Sequence, residues 1–228
     1  MEIQRSGVNE LFTDALWWLR TAGEVEDSRN GAVKACQEPV LLTSLRPVER
    51  VIFCKERKEN PVFHFAECLW MMAGRSDAAW LEQFNPRMKE FAETSGKIYG
   101  AYGHRWRAHF GFDQILEVCK ILKEEPNTRR AVIGMWSPTG DLGIDAKDVP
   151  CNTHIYFRRR GESLDMTVCN RSNDLVWGAL GSNIVHFSFL MSTLDLRPLA
   201  SYFSRRAGGK SSGVPSMKPH LLVKKVKA

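Results

Sequence analysis

The sequence predicts an α+β domain followed by a basic tail. Of its 228 residues, 43% are apolar and 25% are charged, which is typical of a globular protein long enough to bury a core. Helix-like and strand-like segments alternate without the regular strand–helix–strand period of a doubly wound sheet. After Pro198, Gly, Ser and Lys replace the periodic apolar residues. We therefore predict a folded domain over residues 1–198 and a disordered tail over 199–228.

Four segments show the apolar spacing of helices, and one of them stands out. In that segment Pro61 suits the first turn, Gly74 suits the end, and an apolar stripe runs between them. Glu67 lies on the stripe, where a carboxylate has to be paired, protonated or bound; exposure near a helix boundary is the alternative. The predicted helices cover residues 9–20, 60–74, 114–123 and a segment from about residue 183.

The predicted strands are short, and two of them form a hairpin. Residues 154–158 and 164–169 alternate apolar and polar side chains on either side of an Arg-Gly-Glu turn. The stretch G-E-V-E-D-S-R-N-G, ending at Gly31, is predicted as a polar turn, and N-R-S-N-D as another. The remaining strands are predicted at 39–45 and within R-R-A-V-I-G-M-W.

The net charge of +6 belongs to the tail and not to the domain. Seven of the 32 basic residues lie in the acid-free tail, which leaves 25 basic residues against 26 acidic ones. A solvated appendage is the simplest interpretation, and sequence-independent contact with nucleic-acid phosphates is the alternative. The apolar runs are too short to span a bilayer, and the N-terminus lacks a signal-peptide core, so we predict a cytoplasmic protein without membrane contact.

Six cysteines occur without zinc-type spacing, so we predict reduced thiols and no metal site. Cys151 follows Val-Pro and immediately precedes a strand. This places its sulfur at the mouth of the strand, meaning its N-terminal end, and not in the core of the sheet. Arg171 lies in a polar turn twenty residues later, and a guanidinium near Cys151 would favour the reactive thiolate. A small buried structural cysteine is the alternative. The pair Arg129 and Arg130 suits phosphate binding, although such pairs are more often solvated.

Taken together and in order, these segments resemble a known enzyme superfamily. Three segments are similar to the core signature of the thymidylate synthase and deoxycytidylate hydroxymethylase superfamily. They are P-C-N-T-H-I-Y-F, N-R-S-N-D-L-V-W-G and S-N-I-V-H-F. Residues 28–31 resemble the phosphate-binding loop of this superfamily, and E-C-L-W resembles its Glu-x-x-W helix. Y-G-H-R-W-R resembles its Tyr-Gly-x-x-W-R segment, and N-T-R-R resembles its Asp-Ser-Arg-Arg strand. The resemblance covers about residues 27–197 and implies a mixed sheet covered by helices.

The resemblance also implies a reaction and its residues. A cysteine thiolate adds to C6 of a pyrimidine deoxynucleoside monophosphate, and C5 then takes a one-carbon unit from 5,10-methylenetetrahydrofolate. It further implies a homodimer, because two arginines reach the phosphate site of the neighbouring subunit. The implied catalytic residues are Cys151, Glu67, Tyr102 and Arg171. The implied nucleotide-binding residues are Arg29, Arg171, Ser172, Asn183 or Ser182, and the neighbour's Arg129 and Arg130; the implied folate-binding residues are Asp174, Gly178 and Trp70.

Departures from the family pattern bear on substrate and product. Asn152 stands where thymidylate synthases have His, and the segment before Asn183 is one residue longer. Asn183 favours uracil through its donor and acceptor, whereas Ser182 in that place would leave cytosine open. Met88 and Phe91 stand near the position of a family Trp, which favours attack by water and hence hydroxymethylation; methylation is the alternative.

The chain also lacks the family's late His-x-Tyr, so its C-terminal elements are expected to be truncated or replaced by the tail. A non-catalytic remnant whose basic tail binds nucleic acid is therefore the alternative from a different functional class.

Overall fold

The fold consists of two sheets and a set of helices, which confirms the α+β prediction. The computed structural model describes residues 1–28, 31–161, 163–194, 218–223 and 226–227. The strands are β1 (Glu2–Arg5), β2 (Glu24–Ser28), β3 (Gly31–Ala35), β4 (Val40–Ser44), β5 (Val132–Gly134), β6 (Asn152–Arg160), β7 (Ser163–Asn170), β8 (Asn173–Asp174), β9 (Lys218–Val223) and β10 (Val226–Lys227).

Seven α-helices and one π-helix lie between these strands in the described part of the chain. Short 3₁₀ turns occur at Lys55–Arg57 and Pro86–Phe91, and the π-helix spans Leu175–Asn183. The α-helices are α1 (Val8–Ala22), α2 (Pro61–Met72), α3 (Ala78–Glu82), α4 (Tyr102–Arg107), α5 (Gln114–Glu124), α6 (Pro138–Asp141) and α7 (Ile184–Leu194).

The larger sheet is mixed, with strand order β1-β4-β9-β7-β6-β5. The predicted hairpin is confirmed, since β6 and β7 pair antiparallel with Asn152 opposite Asn170. Along β6, Ile155 and Phe157 are buried, whereas His154, Tyr156 and Arg158 are exposed. Because successive side chains of a strand point to opposite faces, one face of this strand packs on the core and the other faces outward in the single chain.

Strand β9 corrects the prediction of a disordered tail. Residues 218–223 pair parallel with β7 and antiparallel with β4 in the middle of the larger sheet. Serine, lysine and glycine are frequent in the tail, but the run H-L-L-V is β-forming, and composition alone underestimates such a short segment.

The smaller sheet corrects a second prediction, that of a polar turn ending at Gly31. Glu24–Ser28 forms β2, which pairs antiparallel with β3 so that Ser28 lies opposite Gly31. The strand carries mostly polar and exposed side chains, so no apolar alternation marked it in the sequence. Its pairing with β3 decides the conformation.

Helices α2 and α7 begin within one residue of their predicted starts, but α7 continues a longer helical segment that the sequence did not predict. In α2, Asn60 caps the N-terminus by accepting from Phe63 N at 3.0 Å. The helical segment that ends in α7 begins at Leu175, eight residues before the predicted start, because the π-helix precedes it. A π-turn absorbs one extra residue, which accounts for the longer sequence before Asn183.

The continuous helical segment Leu175–Leu194 has the length and apolarity of a membrane span, with a mean hydropathy of 1.3. The sequence analysis did not expect such a segment. In the structure, 67% of it is buried inside the protein, which is typical of a core helix.

A buried ion pair fixes α4 against the loop that leads to the active site. Arg105, fully buried, donates to both carboxylate oxygens of Asp141 at 2.8 Å and to Met135 O at 2.8 Å. Tyr99 also donates to Asp141, at 3.0 Å. Because α4 begins at Tyr102, this network sets the position of a predicted site residue.

Candidate active site

Cys151 lies at the mouth of β6, as predicted, and Arg171 lies beside it. The Cys151 carbonyl accepts from Arg171 N at 2.9 Å, and the thiol is half-buried. The Arg171 guanidinium donates to Pro150 O at 3.0 Å and to Val149 O at 3.2 Å. It also lies over the Trp136 ring, 5.5 Å from its centre. The arginine therefore holds the loop that leads into Cys151.

Tyr102 is the second predicted residue that reaches this point. Its hydroxyl accepts from Asn152 N at 3.3 Å, directly after Cys151. Burial raises the pKa of Tyr102 above its usual range, and negative charge on Cys151 and Asp148 would raise it further. The phenol therefore stays protonated and is able to donate a hydrogen bond to an anion formed nearby.

Glu67 projects from α2 between two histidines. His186 Nε2 lies 2.8 Å from Glu67 Oε2, and His64 Nδ1 lies 3.8 Å from the same oxygen. Burial raises the pKa of Glu67, but hydrogen bonds and positive charge from His186 and His64 outweigh it and lower the pKa to about 2. Glu67 is therefore an ionised carboxylate near neutral pH, held on helix α2 against α7.

The contacts around Glu67 extend further, to residues that the sequence analysis did not predict as part of the site. His64 Nε2 contacts Glu59 Oε1, and Arg57 Nε lies 3.4 Å from Glu59. Burial lowers the pKa of His64, but Glu59 and Glu67 outweigh it and raise the pKa to about 9. The sequence analysis missed His64, Glu59 and His186. One sequence signal could have identified His64. It precedes Glu67 by three residues in the predicted helix, so the two side chains lie on the same helix face.

The same cluster bears on the prediction that no metal is bound. Ligand atoms of His64, Glu67 and His186 lie within 4.8 Å of one another, a spacing that a divalent cation could bridge. The absence of a metal site therefore stays a prediction.

Buried amides without partners surround the mouth of β6. Within the described residues, Asn152 Oδ1, both amide atoms of Asn170 and Asn173 Nδ2 are buried and make no hydrogen bond. Buried polar groups are nearly always paired, so a cluster of unpaired ones beside a reactive thiol indicates a place where a polar ligand binds. The sequence analysis quoted all three asparagines within its motifs and assigned none of them a role.

The π-helix brings further predicted residues to this region. Asp174 caps it, since Oδ1 accepts from Val176 N at 2.9 Å and from Trp177 N at 2.7 Å. Asn183, at its other end, is buried, and Ser182 is half-buried. A side chain at Gly178 would collide with Asn173 Oδ1, so the close packing here favours glycine. Trp177, 64% exposed, presents a flat ring beside Asp174.

Several predicted residues do not join the site in this single chain. Trp70 is 3% exposed and donates from Nε1 to Asp77 O at 2.9 Å, which makes it a core residue and corrects its assignment to direct folate contact. Arg129 and Arg130 are exposed at the far end of β5. Arg29 lies outside the described residues, and Ser172, half-buried, follows Arg171.

A half-buried cysteine whose carbonyl meets the backbone of Arg171, and a protonated phenol that reaches the next residue, are groups suited to nucleophilic chemistry. The chain belongs to the thymidylate synthase family, whose model matches residues 49–196.

The relatives that the chain resembles include deoxyuridylate hydroxymethyltransferases and thymidylate synthases. It is 46% identical over 189 residues to the deoxyuridylate hydroxymethyltransferase of Pseudomonas phage M6, covering 82% of this chain and 54% of that protein. It is 35% identical to the protein of the same name from Bacillus phage SP01, covering 81% and 51%. It is 30% identical to the thymidylate synthase of Enterobacteria phage T4, covering 55% and 49%. The chain thus spans about half the length of these curated relatives.

Proposed function

We propose that this chain carries the catalytic site of a deoxyuridylate hydroxymethyltransferase. The enzyme would transfer one carbon from 5,10-methylenetetrahydrofolate to C5 of dUMP, with water completing the hydroxymethyl group. The observation that carries the proposal is a set of buried amide atoms near Cys151 and Arg171 that make no hydrogen bond among the described residues: Asn152 Oδ1, both amide atoms of Asn170, and Asn173 Nδ2. A uracil ring presents alternating donors and acceptors that such amides can satisfy, and the likeness to two phage deoxyuridylate hydroxymethyltransferases supports the same substrate.

In this proposal the Cys151 thiolate adds to C6 and converts the ring into an enolate that is nucleophilic at C5. Protonated Tyr102 and the amide donors stabilise the developing negative charge. Glu67, ionised near neutral pH, organises the proton transfers that accompany loss of the C5 proton. Asn183, at the end of the π-helix, reads the edge of the base.

The folate supplies the one-carbon unit when it binds. The residues present fit such a ligand, because Trp177 offers an exposed ring for stacking and Asp174 offers a carboxylate beside it. Gly178 lies between this surface and Asn173 and keeps the path open, since any side chain there would collide.

The nucleotide phosphate would be held by Arg171 and Ser172 together with Arg129 and Arg130 of a second subunit. Val132 pairs with Tyr156, so Arg130 falls opposite Arg158, seven residues along β6 from Cys151. At about 3.3 Å per residue this is roughly 20 Å, too far for the two arginines to serve the thiol of their own chain. The outward face of β6, with His154, Tyr156 and Arg158 exposed, is the surface we propose for the homodimer.

Hydroxymethylation is the proposed outcome, and methylation is the alternative. Near the place of the family Trp, Met88 is half-buried against the core and Phe91 is 40% exposed. A less enclosed surface would let water reach the exocyclic carbon before hydride does. The match to the thymidylate synthase of phage T4 covers 55% of this chain, against 82% and 81% for the two hydroxymethyltransferases above.

The proposal is tested by trapping and by product analysis. The full chain, incubated with 5-fluoro-dUMP and methylenetetrahydrofolate, should gain one nucleotide and one folate by mass spectrometry, mapped to Cys151. Cys151→Ser should form no adduct while retaining nucleotide binding, because a serine hydroxyl is seldom ionised near neutral pH. With dUMP, 5-hydroxymethyl-dUMP should form without dihydrofolate absorbance. An adduct on another cysteine would overturn the site, and dihydrofolate formed in step with dTMP would overturn hydroxymethylation.

A further inference from the structure

Three buried side chains converge between helices α2 and α7. His64 and Glu67 lie three residues apart on one face of α2, and His186 reaches them from α7. His64 Nδ1 lies 3.8 Å from Glu67 Oε2, and His186 Nε2 lies 2.8 Å from the same oxygen. One ligand atom from each residue lies within 4.8 Å of the other two. Two imidazoles and one carboxylate are a set of ligands that Zn²⁺ takes in proteins.

The two ring nitrogens that face Glu67 are buried and available to a ligand. His64 is 6% exposed and His186 is 3% exposed, and neither His64 Nδ1 nor His186 Nε2 completes a hydrogen bond among the described residues. Atoms that bind zinc at about 2.0–2.1 Å lie roughly 3.3 Å apart at tetrahedral angles. Both nitrogen–oxygen distances differ from that value by about 0.5 Å, in opposite directions. A shift of Glu67 Oε2 from His186 towards His64 by this amount therefore makes the two distances equal.

Glu59 holds His64 in the orientation that a metal ligand needs. Its carboxylate contacts His64 Nε2, and Arg57 Nε lies 3.4 Å from the same carboxylate. A metal-bound imidazole almost always donates from its other ring nitrogen to a carboxylate or a carbonyl, which fixes the ring and directs the free nitrogen at the ion. Here Nε2 keeps its proton on Glu59, and the ion displaces any proton from Nδ1.

A cavity beside these residues provides a path for the ion. Its volume is about 370 Å³, it is partly open to solvent, and Glu59 and His64 line it together with Val185 of α7. A buried metal site requires such an entrance. Water from the cavity is able to complete the coordination of an ion held by three protein ligands.

We propose that His64, Glu67 and His186 form a zinc site, and that Zn²⁺ bound there withdraws Glu67 from the reaction. The inhibition rests on the proposed function, in which the free carboxylate of Glu67 organises proton transfers; the binding of zinc does not. An ion on Glu67 Oε2 occupies the oxygen that would exchange a proton, so the bound enzyme is inactive and removal of the ion restores it. The sequence analysis expected no metal because the cysteines lack zinc spacing, but these ligands come from two helices 122 residues apart.

Metal binding tests the site without reference to activity. The full chain, freed of metal with EDTA and kept reduced with a phosphine, should bind one Zn²⁺ in equilibrium dialysis that His64→Gln and His186→Gln do not bind. Glu59→Gln should weaken the zinc affinity about 10–100-fold, because Glu59 orients His64. Co²⁺ in place of zinc should give visible absorption bands without the near-ultraviolet charge transfer of a cobalt–thiolate bond. Mg²⁺ should not compete, since imidazole ligands do not suit it.

Two variants are matched controls for the binding measurement. Cys68 lines the same cavity, and His154 is exposed on β6, so Cys68→Ala and His154→Gln should bind zinc within about twofold of wild type. Urea unfolding shows whether each variant is folded. If a histidine variant does not fold, Glu59→Gln decides the question, because Glu59 touches the ion only through His64.

Turnover of dUMP tests the inhibition. Saturating Zn²⁺ should lower the turnover of the wild type about 100-fold, the scale of general acid–base catalysis, and EDTA should restore it. In His64→Gln the same zinc concentration should leave whatever turnover the variant has unchanged. Equal inhibition of both proteins would assign the effect to zinc on another group, such as the Cys151 thiol, and would overturn the proposed inhibition.

The site itself is overturned if the wild type binds no Zn²⁺, or if folded histidine variants and Glu59→Gln all bind it as the wild type does. Zinc binding with full turnover would overturn the inhibition. If the metal-free wild type formed no adduct with 5-fluoro-dUMP, the proposed function would fail and the inhibition with it, whereas the binding measurements would still decide the zinc site.

Discussion

At the scale of single residues, the site is defined by polar groups that the protein itself leaves unpaired. Asn170 is 4% exposed, and neither of its amide atoms makes a hydrogen bond among the described residues. An unpaired buried amide costs about 1–3 kcal/mol of folding free energy, which a ligand recovers by pairing with it. Stability of the unliganded chain and affinity for its ligand are therefore opposed at this position.

Replacing this amide should separate the two properties. Asn170→Leu keeps the side-chain volume and removes the unpaired atoms, so we expect an unfolding free energy equal to or above wild type and an affinity for dUMP lowered at least tenfold. Urea unfolding and equilibrium binding measure the two quantities. A large loss of stability would show instead that the amide is paired, for example by water, and would remove it from the ligand site.

The charge state of His64 makes stability depend on pH. The pKa of His64 is raised to about 9 by Glu59 and Glu67 against the effect of burial, whereas in the unfolded chain it is about 6.5. The folded protein thus holds this proton more tightly, and the stabilisation is complete below about pH 6.5 and lost as the pH rises through 9. We expect the wild type to lose about 3 kcal/mol between pH 6 and 10.

Urea midpoints measured across this range test the assignment. In His64→Gln the decline should be absent, while exposed His154→Gln should retain it. Glu67 acts in the opposite direction, because its lowered pKa of about 2 stabilises the fold above about pH 4 and this contribution is lost as the pH falls towards 2. The same decline in both His variants would assign the effect to another group.

At the scale of elements, the π-helix sets how Asn183, for which we propose contact with the base, lies relative to the rest of the site. A side chain at Gly181 would lie 2.6 Å from Arg57 Nη2 and 2.6 Å from Val176 O. Arg57 in turn lies over the Trp177 ring, 4.0 Å from its centre, and donates to Val176 O at 3.0 Å. The extra residue before Asn183 is thus accommodated by a close approach that only glycine permits.

Adding one methyl group should disturb this packing. Gly181→Ala is expected to destabilise the fold by about 1–3 kcal/mol and to lower nucleotide affinity, because Arg57 and the π-turn have to shift. Gly134→Ala is the matched control, since the added carbon would meet only Gln114 Oε1, at 3.8 Å. Thermal unfolding compares the two variants, and equal melting temperatures would show that Gly181 is not tightly packed.

At the scale of the whole molecule, one face of β6 is exposed in the single chain. Arg129 and Arg130 lie at the end of the sheet away from Cys151. A second subunit that packs on this face would bring its own Arg129 and Arg130 within reach of the first subunit's nucleotide. In the dimer that we propose, each site would be built from two chains.

Complementation tests this shared site. Arg129→Ala and Cys151→Ser should each be nearly inactive as homodimers. Mixed and reassembled, they should regain activity, because some heterodimers hold one site with an intact thiol and an intact partner arginine. Mixing two preparations of Cys151→Ser is the control for incidental recovery. Only monomer in sedimentation at micromolar concentration, or no recovery on mixing, would contradict the proposed dimer.

The sequence by itself determined the elements whose signals are local. Helix α2, with Asn60 and Pro61 at its start, and the hairpin of β6 and β7 follow from capping residues and apolar spacing that act within a few positions. The resemblance of short motifs to a known family likewise singled out four candidate site residues, Cys151, Arg171, Tyr102 and Glu67.

Only the tertiary structure decided what depends on partners distant in the chain. Strand β2 carries no apolar alternation and exists because β3 pairs with it, and β9 lies in the sheet because β4 and β7 flank it. The two histidines around Glu67 come from α2 and α7, 122 residues apart, and no local pattern encodes that meeting. Packing and pairing between distant segments set these contacts, so spacing along the chain could not predict them.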